Sequence, residues 1–184
     1  LLKQLTPQKS YEFMTQQLGF KLVDSRTNED GTVQSDIDLA PLALGALTDG
    51  VTVREMAGGF STFINDGVYG GTRTYTKVTD SEGNTIMENT PNTDKGFTNV
   101  RTAYYMLDCL QNVTAHGTAY GIQLDGVETG GKTGTTTSNT DIWFCGITPK
   151  YSGAVWVGYE HNYRLDGLYG RNAAEIWLAV MQKV

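Results

Sequence analysis

The last third of the chain restricts its possible folds more than any other part. Residues 127–135, 141–147 and 154–159 are strand-like segments separated by short turns. The tightest connection is Pro149-Lys150-Tyr151-Ser152-Gly153, which predicts that the second and third strands pair antiparallel. A helix over residues 171–184 follows. A small antiparallel sheet covered by a closing helix is therefore expected.

Two amphipathic helices are predicted before this sheet. Thr52 and Glu55 have the spacing of a capping box, so a helix is expected to begin at Thr52 and to end at Asn65-Asp66-Gly67. A second helix is expected over residues 98–116, with Gly117 as its stop. The predicted inward faces are Met56, Phe60, Phe63 and Ile64 in the first helix, Val100, Ala103, Tyr104, Leu107, Leu110 and Gln111 in the second, and Ala174, Trp177, Leu178 and Met181 in the closing helix.

The first ninety residues contain weaker signals. Thr6-Pro7 and Gly19 bracket a predicted capped helix. Residues 24–38 are polar and are expected to form a solvated loop. Aligned with a calcium-binding loop, this stretch places Arg26 where the first carboxylate must stand. Residues 74–88 alternate as a β-hairpin does.

The order of elements predicts an α+β fold, a small antiparallel sheet packed with helices. The helical part is expected to cover about 1–120, with the hairpin near 74–88, and the closing sheet and helix about 127–184. Because the chain contains neither a repeat nor a linker, a single domain is expected over residues 1–184. The opening Leu1-Leu2-Lys3-Gln4-Leu5 has no Met and reads like the middle of a helix, so a piece of a longer protein is expected.

Composition argues against several classes of function. The net charge is −6 and the basic residues form no run, which disfavours nucleic-acid binding. Two cysteines, Cys109 and Cys145, and two histidines, His116 and His161, are too few for a disulfide framework or a metal site, so no metal or cofactor is expected. Both thiols are predicted to be buried. No apolar stretch approaches the roughly 20 residues that span a bilayer, and no signal peptide is visible.

The most unusual segment is Gly130-Gly131-Lys132-Thr133-Gly134-Thr135-Thr136. Its glycines permit close approach of another backbone or a ligand, and a lysine beside a row of hydroxyls suits a carboxylate ligand. By itself the segment is also consistent with a surface strand carrying a solvated lysine. A phosphate-binding loop is excluded, because the required glycine is missing and a strand follows.

The chain contains no obvious catalytic nucleophile. No serine is followed three residues later by lysine, and neither Ser-x-Asn nor Gly-x-Ser-x-Gly occurs. His116 is expected at a helix end, where a cation favours the helix dipole, and His161 on the surface. A Ser-His-Asp triad is not expected.

Several segments taken together resemble class A penicillin-binding proteins. They are, in chain order, residues 44–52, Glu55-Met56-Ala57, residues 63–67, the hairpin residues 76–84, Thr114-Ala115-His116-Gly117-Thr118-Ala119, residues 131–136, residues 141–149 and Val155-Trp156-Val157-Gly158-Tyr159. The likeness runs collinearly over nearly the whole chain. It marks the chain as similar to the C-terminal part of the transpeptidase domain, whose fold is shared with serine β-lactamases.

The resemblance implies a peptidoglycan D,D-transpeptidase that binds the D-Ala-D-Ala end of the stem peptide or a β-lactam antibiotic. The family uses three motifs, Ser-x-x-Lys, Ser-x-Asn and Lys-Thr-Gly, and only the third is present, as Lys132-Thr133-Gly134. The family's Ser-x-Asn precedes a helix start like Leu1-Leu2-Lys3, so the chain is expected to begin just after it. Class A members also have a glycosyltransferase domain and a membrane anchor, and they act outside the cytoplasm.

The same resemblance implies roles for four residues. Lys132 would hold a positive charge near the nucleophile, and the hydroxyls of Thr133 and Thr135 would receive the ligand's carboxylate. The backbone N–H of Thr135 would be one oxyanion donor. Gly134 completes the strand that pairs with the extended peptide. The nucleophilic serine and the basic lysine would lie outside this chain, so the chain alone is expected to be inactive.

Two other interpretations remain open from the sequence. One is a serine β-lactamase relative, against which the hairpin and the class A-like helical stretch count. The other is a non-catalytic ligand-binding or assembly module of the same fold. Because the family pairs its closing strands with N-terminal strands that this chain lacks, self-association through an unpaired sheet edge is also expected.

Overall fold

The computed structural model describes residues 1–91, 93–94, 96 and 99–184. Its helices are α1 (Leu2–Leu5), α2 (Pro7–Glu12), α3 (Leu39–Leu44), α4 (Val53–Ile64), α5 (Val100–His116) and α6 (Gly170–Met181). Its strands are β1 (Arg26–Thr27), β2 (Val33–Gln34), β3 (Lys77–Thr79), β4 (Thr85–Glu88), β5 (Gly130–Thr135), β6 (Asp141–Ile147) and β7 (Ser152–Gly158).

The predicted N-terminal helix is present, but only its first half is α-helical. The Thr6 hydroxyl accepts a hydrogen bond from the backbone N–H of Lys9, and Pro7 is the first helical residue. A π-helical stretch, Phe13–Gln17, continues α2. Gly19 then takes a φ of +68°, which confirms it as the stop. Leu18 and Phe20, on either side of Gly19, are buried with Tyr69 in a small core.

The polar stretch after this helix is more ordered than a solvated loop. Strands β1 and β2 pair antiparallel, with Arg26 opposite Gln34. The guanidinium of Arg26 also donates to both carboxylate oxygens of Asp49, at 2.8 and 3.0 Å. Helix α3, which the sequence did not predict, is capped at its start by the side chain of Asp38 and ends at Gly45, which has a left-handed conformation. Strand pairing, the Arg26–Asp49 ion pair and the helix caps therefore hold the segment between β1 and α4 in place.

Helix α4 begins as predicted. The Thr52 hydroxyl accepts from the backbone N–H of Glu55, and the Glu55 carboxylate accepts from the backbone N–H of Thr52. The same carboxylate also accepts a hydrogen bond from the backbone N–H of Lys21, at 3.2 Å. The cap thus joins α4 to the segment that follows the first helix. Strands β3 and β4 form the predicted hairpin, with Val78 opposite Met87.

Helix α5 confirms the second amphipathic helix, although two residues of its predicted inward face are exposed. Ala103 and Leu110 are buried, whereas Val100 lies in the first turn at the surface and Tyr104 is 66% exposed. Tyr104 follows Ala103 by one residue, and this rotates its side chain about 100° away from the buried face. The start predicted at Thr98 lies outside the described residues, and Asn99 is the capping residue.

The closing sheet has the order β5-β6-β7 and is antiparallel throughout. Its first strand begins at Gly130 rather than at residue 127, because residues 124–129 form a tight local turn. The Thr129 hydroxyl accepts from the N–H of Leu124 and donates to the carbonyl of Val127. The third strand begins earlier than predicted, at Ser152, which pairs with Ile147.

Helix α6 covers one face of this sheet and forms the main core with it. The ring centres of Trp177 and Phe144 are 5.5 Å apart in an edge-to-face arrangement. Gly146 and Gly153 leave space for the indole, since a Cβ added to either glycine would lie 2.4 or 2.8 Å from a ring atom of Trp177. The buried core comprises Ala119, Ile122, Ile142, Phe144, Leu165, Ala173, Ala174 and Trp177.

The prediction for the two cysteines was half wrong. Cys145 is buried on β6, and burial raises the pKa of its thiol to about 12. Cys109 is exposed, because it precedes the inward-facing Leu110 by one helical position and so points away from the core.

The helices and the antiparallel sheets confirm the predicted α+β fold. Among the described residues, no helix combines the length and the hydropathy that crossing a membrane requires.

Candidate active site

Strand β5 presents the predicted site residues on two different faces of the sheet. Directly paired residues on neighbouring strands share a face. Lys132 pairs with Cys145, and their face is opposite to the one covered by α6. Thr133 pairs with Phe144, so it points toward the α6 side. The motif residues therefore lie on both sides of a strand at the edge of the sheet.

The ammonium group of Lys132 is exposed. Its Nζ donates to the backbone carbonyl of Thr133 at 2.7 Å. Within the part of the chain that the structure describes, no carboxylate forms a salt bridge with it. A cation held over the strand without an acidic partner is available to an anionic ligand.

The hydroxyl of Thr133 has a side-chain partner from another part of the chain. Its Oγ1 lies 2.7 Å from Oγ1 of Thr118, which is in the turn after α5. Either oxygen can be the donor in this pair. Thr135, two residues along β5, is exposed. Thr133 and Thr135 alternate with Gly134, so their side chains point to the same side of the strand.

The first residue of α6 lies directly against these threonines. A Cβ added to Gly170 would be 2.9 Å from Cβ of Thr133 and 3.5 Å from Oγ1 of Thr135. Contacts below about 3 Å require one of the groups to shift. Glycine at the start of α6 therefore lets the helix approach β5 closely, and neighbouring Arg171 donates to the carbonyl of Tyr120 at 2.8 Å.

A cavity of about 760 Å³ lies on the Lys132 face of the sheet. Its walls come from β5, β6 and β7, from the segment before α4, and from α4 itself. Trp143 and Trp156 line it, and the indole N–H of Trp156 donates to Asp141 at 3.0 Å. Its remaining lining residues include Met14, Phe20, Leu22, Leu42, Leu47, Val51, Met56 and Phe60. The cavity is therefore largely apolar, and its charged lining residues are Lys132, Asp49 and Asp141.

The arrangement supports binding more directly than it supports reaction. An edge strand offers unpaired backbone groups to an extended peptide, while Lys132 and the threonine hydroxyls suit a carboxylate. No serine lines the cavity within the described residues. His116 ends α5 and His161 is an exposed loop residue, and neither lines the cavity. The described residues contain no group of three or more His, Cys, Asp or Glu side chains suited to a metal ion.

Sequence reasoning missed Thr118 and Gly170 as neighbours of the motif. Thr118 is 15 residues from Thr133, and Gly170 is 37 residues beyond it. Their proximity depends on how the turn after α5 and the start of α6 meet β5. The only sequence signal was the Gly117-Thr118-Ala119 turn itself, which has no feature that indicates its partner.

Comparison with known proteins identifies the class. A family model described as the penicillin-binding protein transpeptidase domain matches residues 2–182. The chain is 37% identical over 146 residues to penicillin-binding protein 1A of Clostridium botulinum, covering 79% of this chain and 18% of that protein. It is 31% identical over 183 residues to penicillin-binding protein 4 of Bacillus subtilis, covering 99% of this chain and 27% of that protein.

The fold agrees with this class. Penicillin-binding protein A from M. tuberculosis, solved as an imipenem acyl-enzyme complex, superposes with a TM-score of 0.66 at 18% identity, covering 97% of this chain and 44% of that one. The chain belongs to the penicillin-binding protein transpeptidase family. It spans only 18% and 27% of the length of these two curated relatives.

Proposed function

We propose that the protein carrying this chain is a serine-type D,D-transpeptidase of peptidoglycan synthesis, of class A, and that this chain supplies its Lys-Thr-Gly strand. The observation that supports this most is the exposed edge strand β5. It carries Lys132, which forms no salt bridge among the described residues, on the side of the large cavity, and the hydroxyls of Thr133 and Thr135 on the α6 side, in a chain of this family.

In this proposal the stem peptide, ending in D-Ala-D-Ala, lies along β5 as an added strand. Backbone pairing supplies affinity, and the terminal carboxylate accepts hydrogen bonds from the Thr133 and Thr135 hydroxyls. The close approach of Gly170 to both threonines limits where that carboxylate lies. The same residues receive the carboxylate of a β-lactam. The imipenem acyl-enzyme of the M. tuberculosis protein supports that second ligand class.

Lys132 and Thr135 contribute to the reaction in different ways. The Lys132 cation stabilises negative charge on the nucleophile and assists proton movement. The backbone N–H of Thr135 donates to the oxyanion that forms when the carbonyl is attacked. The second oxyanion donor is the N–H of the nucleophilic serine. That serine and its basic lysine belong to the rest of the protein, because the 184 residues contain no Ser-x-x-Lys. The 184-residue chain alone is inactive in this scheme.

The proposal includes a location. A peptidoglycan transpeptidase meets its substrate outside the cytoplasm, so the protein acts at the outer face of the bacterial cell membrane, to which class A members are anchored.

Acylation of the full-length protein by a fluorescent penicillin tests the role of Lys132. Lys132→Ala is expected to lower the acylation rate by about 10²-fold or more, because a group that stabilises developing charge is lost. Lys150→Ala, at an exposed lysine in the β6–β7 turn, is the matched control and is expected to label normally. Normal labelling of the Lys132 variant would contradict the assigned role.

A further inference from the structure

The contact between Thr118 and Thr133 joins the hydroxyls of two residues that lie in different parts of the fold. Thr133 lies on β5, and Thr118 lies in the turn that follows α5. Their Oγ1 atoms are 2.7 Å apart, a full-strength hydroxyl hydrogen bond. Thr118 itself is exposed and takes no part in the buried core. Core packing therefore does not account for the hydroxyl at this position.

The turn holds Thr118 in a fixed place. The backbone N–H groups of Gly117 and Ala119 both donate to the carbonyl of Val113, at 3.0 and 3.3 Å. Gly121 donates to the carbonyl of Thr114 at 3.1 Å, and Ala119 is fully buried in the main core. Since the residues around it are anchored, the Thr118 hydroxyl is presented to β5 from a rigid support.

Thr133 is confined from a second direction as well. A Cβ added to Gly170 would lie 3.3 Å from the Thr133 methyl group and 2.9 Å from its Cβ. The side chain of Thr133 therefore lies between the start of α6 and the Thr118 hydroxyl. Confinement by two elements fixes its rotamer before any ligand arrives.

The chemistry of the hydroxyl pair gives this contact a direction. A threonine hydroxyl has one hydrogen to donate and two lone pairs to accept with, whereas a carboxylate only accepts. If Thr133 donates its hydrogen to Thr118, it has none left for a carboxylate. If Thr118 is the donor, the Thr133 hydrogen is free and points away from Thr118.

We propose that Thr118 is a positioning residue: it donates to Oγ1 of Thr133 and so directs the Thr133 hydrogen toward the ligand's carboxylate. The inference rests on the proposed function, in which Thr133 binds that carboxylate. Thr118 touches neither the ligand nor the reacting atoms. It acts through Thr133 and affects how tightly a carboxylate ligand is held.

The test uses the full-length protein and a penicillin that bears a free carboxylate. Thr118→Val keeps the shape of the side chain and removes the hydroxyl. Its acylation is measured over a range of penicillin concentrations, so that the dissociation constant of the initial complex is separated from the acylation rate constant. The expected result is a dissociation constant about 3- to 10-fold higher, the effect of one neutral hydrogen bond, with the rate constant little changed. Thr118→Ser is expected to restore binding.

The methyl ester of the same penicillin distinguishes positioning from a general loss of structure. The ester carries no carboxylate, so Thr118→Val and the unaltered protein are expected to bind it equally. An equal loss of binding for the acid and the ester would overturn the inference, as would unchanged binding of the acid. Thr85→Val, at an exposed threonine of the β3–β4 hairpin, is the matched control and is expected to change neither.

Thr133→Val separates this inference from the proposed function. Loss of a hydrogen bond to a charged ligand is expected to weaken acid binding by about 10- to 100-fold. If Thr133→Val binds the acid normally, the carboxylate role in the proposed function is overturned. If Thr133→Val is weakened and Thr118→Val is not, only the role of Thr118 is overturned.

Discussion

Asp36 is a carboxylate with an exposed fraction of only 1% and three donors around it. It accepts from the backbone N–H of Val23 at 2.8 Å, and from both the backbone N–H and the hydroxyl of Thr48 at 2.7 Å. Burial acts to raise the pKa of Asp36, but these hydrogen bonds and the nearby Arg26 outweigh it, so the pKa lies below its ordinary value. One side chain thereby joins the two ends of the segment that leads to the cavity wall.

The lowered pKa of Asp36 determines the direction in which the stability of the fold changes with pH. Because the folded-state pKa lies below the unfolded value of about 3.9, Asp36 stabilises the fold at higher pH, and this stabilisation is lost as the pH falls through the folded pKa. Asp36→Asn is expected to lower the free energy of unfolding at pH 7 by about 1.5–3 kcal/mol. The difference from the unaltered chain should narrow below about pH 3.9.

Urea unfolding of both chains at pH 7 and at pH 3 measures this effect. Glu29→Gln, at an exposed carboxylate of the same segment, removes one charge without touching the buried donors and serves as the control. A difference between Asp36→Asn and the unaltered chain that is the same at both pH values would contradict the explanation.

Single residues also show why part of the site was predictable and part was not. The side chains of Thr52 and Glu55 each accept a hydrogen bond from the other residue's backbone N–H. Because the two residues are only three positions apart, this capping box can be recognised in the sequence. Asp36 meets Val23 and Thr48 across 13 and 12 positions, where no local periodicity applies. Because these partners are distant in the sequence, the polar composition around Asp36 predicted only a solvated loop. The Lys132 motif was visible, but its neighbours depend on tertiary packing.

At the scale of elements, α6 packs on the sheet because two glycines make a notch in it. Gly146 on β6 and Gly153 on β7 are directly paired and lie under the Trp177 indole. The stripe of α6 that includes Ala174 and Trp177 was predicted from helical spacing, and the structure confirms that both are buried. The notch was not predicted, because it depends on which residues of two strands lie opposite each other.

Gly146→Ala is expected to destabilise the chain by about 1–3 kcal/mol, since overpacking of a close-packed core has this cost. The added methyl group would lie 2.4 Å from Cε2 of Trp177 and 2.7 Å from Phe144. Gly70→Ala is the matched control, because its Cβ would have nothing nearer than Pro91 at 4.0 Å. Thermal or urea unfolding compares the two variants. Equal stability of both would show that the notch tolerates a side chain.

At the scale of the whole molecule, the sheet has a free edge at β7. The order β5-β6-β7 leaves the outer side of β7 without a strand among the described residues, although α4 packs nearby through a hydrogen bond from the Ser152 hydroxyl to the carbonyl of Ala57 at 2.7 Å. An unpaired strand edge is a template for another strand. The predicted self-association is consistent with this geometry and remains a prediction.

Light scattering of the 184-residue chain across a range of concentrations measures the association. An average mass that rises with concentration is expected, together with slower hydrogen exchange of the β7 amides at high concentration. The full-length protein is the comparison, in which N-terminal strands are expected to cover β7. A mass that stays at 20.1 kDa at every concentration would contradict the prediction.

The two cysteines differ in accessibility, so their reactivity reports whether the chain is folded. Burial shields Cys145 from solvent and raises the pKa of its thiol to about 12, and a buried, protonated thiol is a poor nucleophile, whereas Cys109 is accessible on the surface of α5. A thiol-specific reagent therefore counts one sulfhydryl in the native chain and two once the sheet has opened. Because Cys145 also borders the cavity beside Lys132, the second sulfhydryl reports on the intactness of the candidate site without any added label.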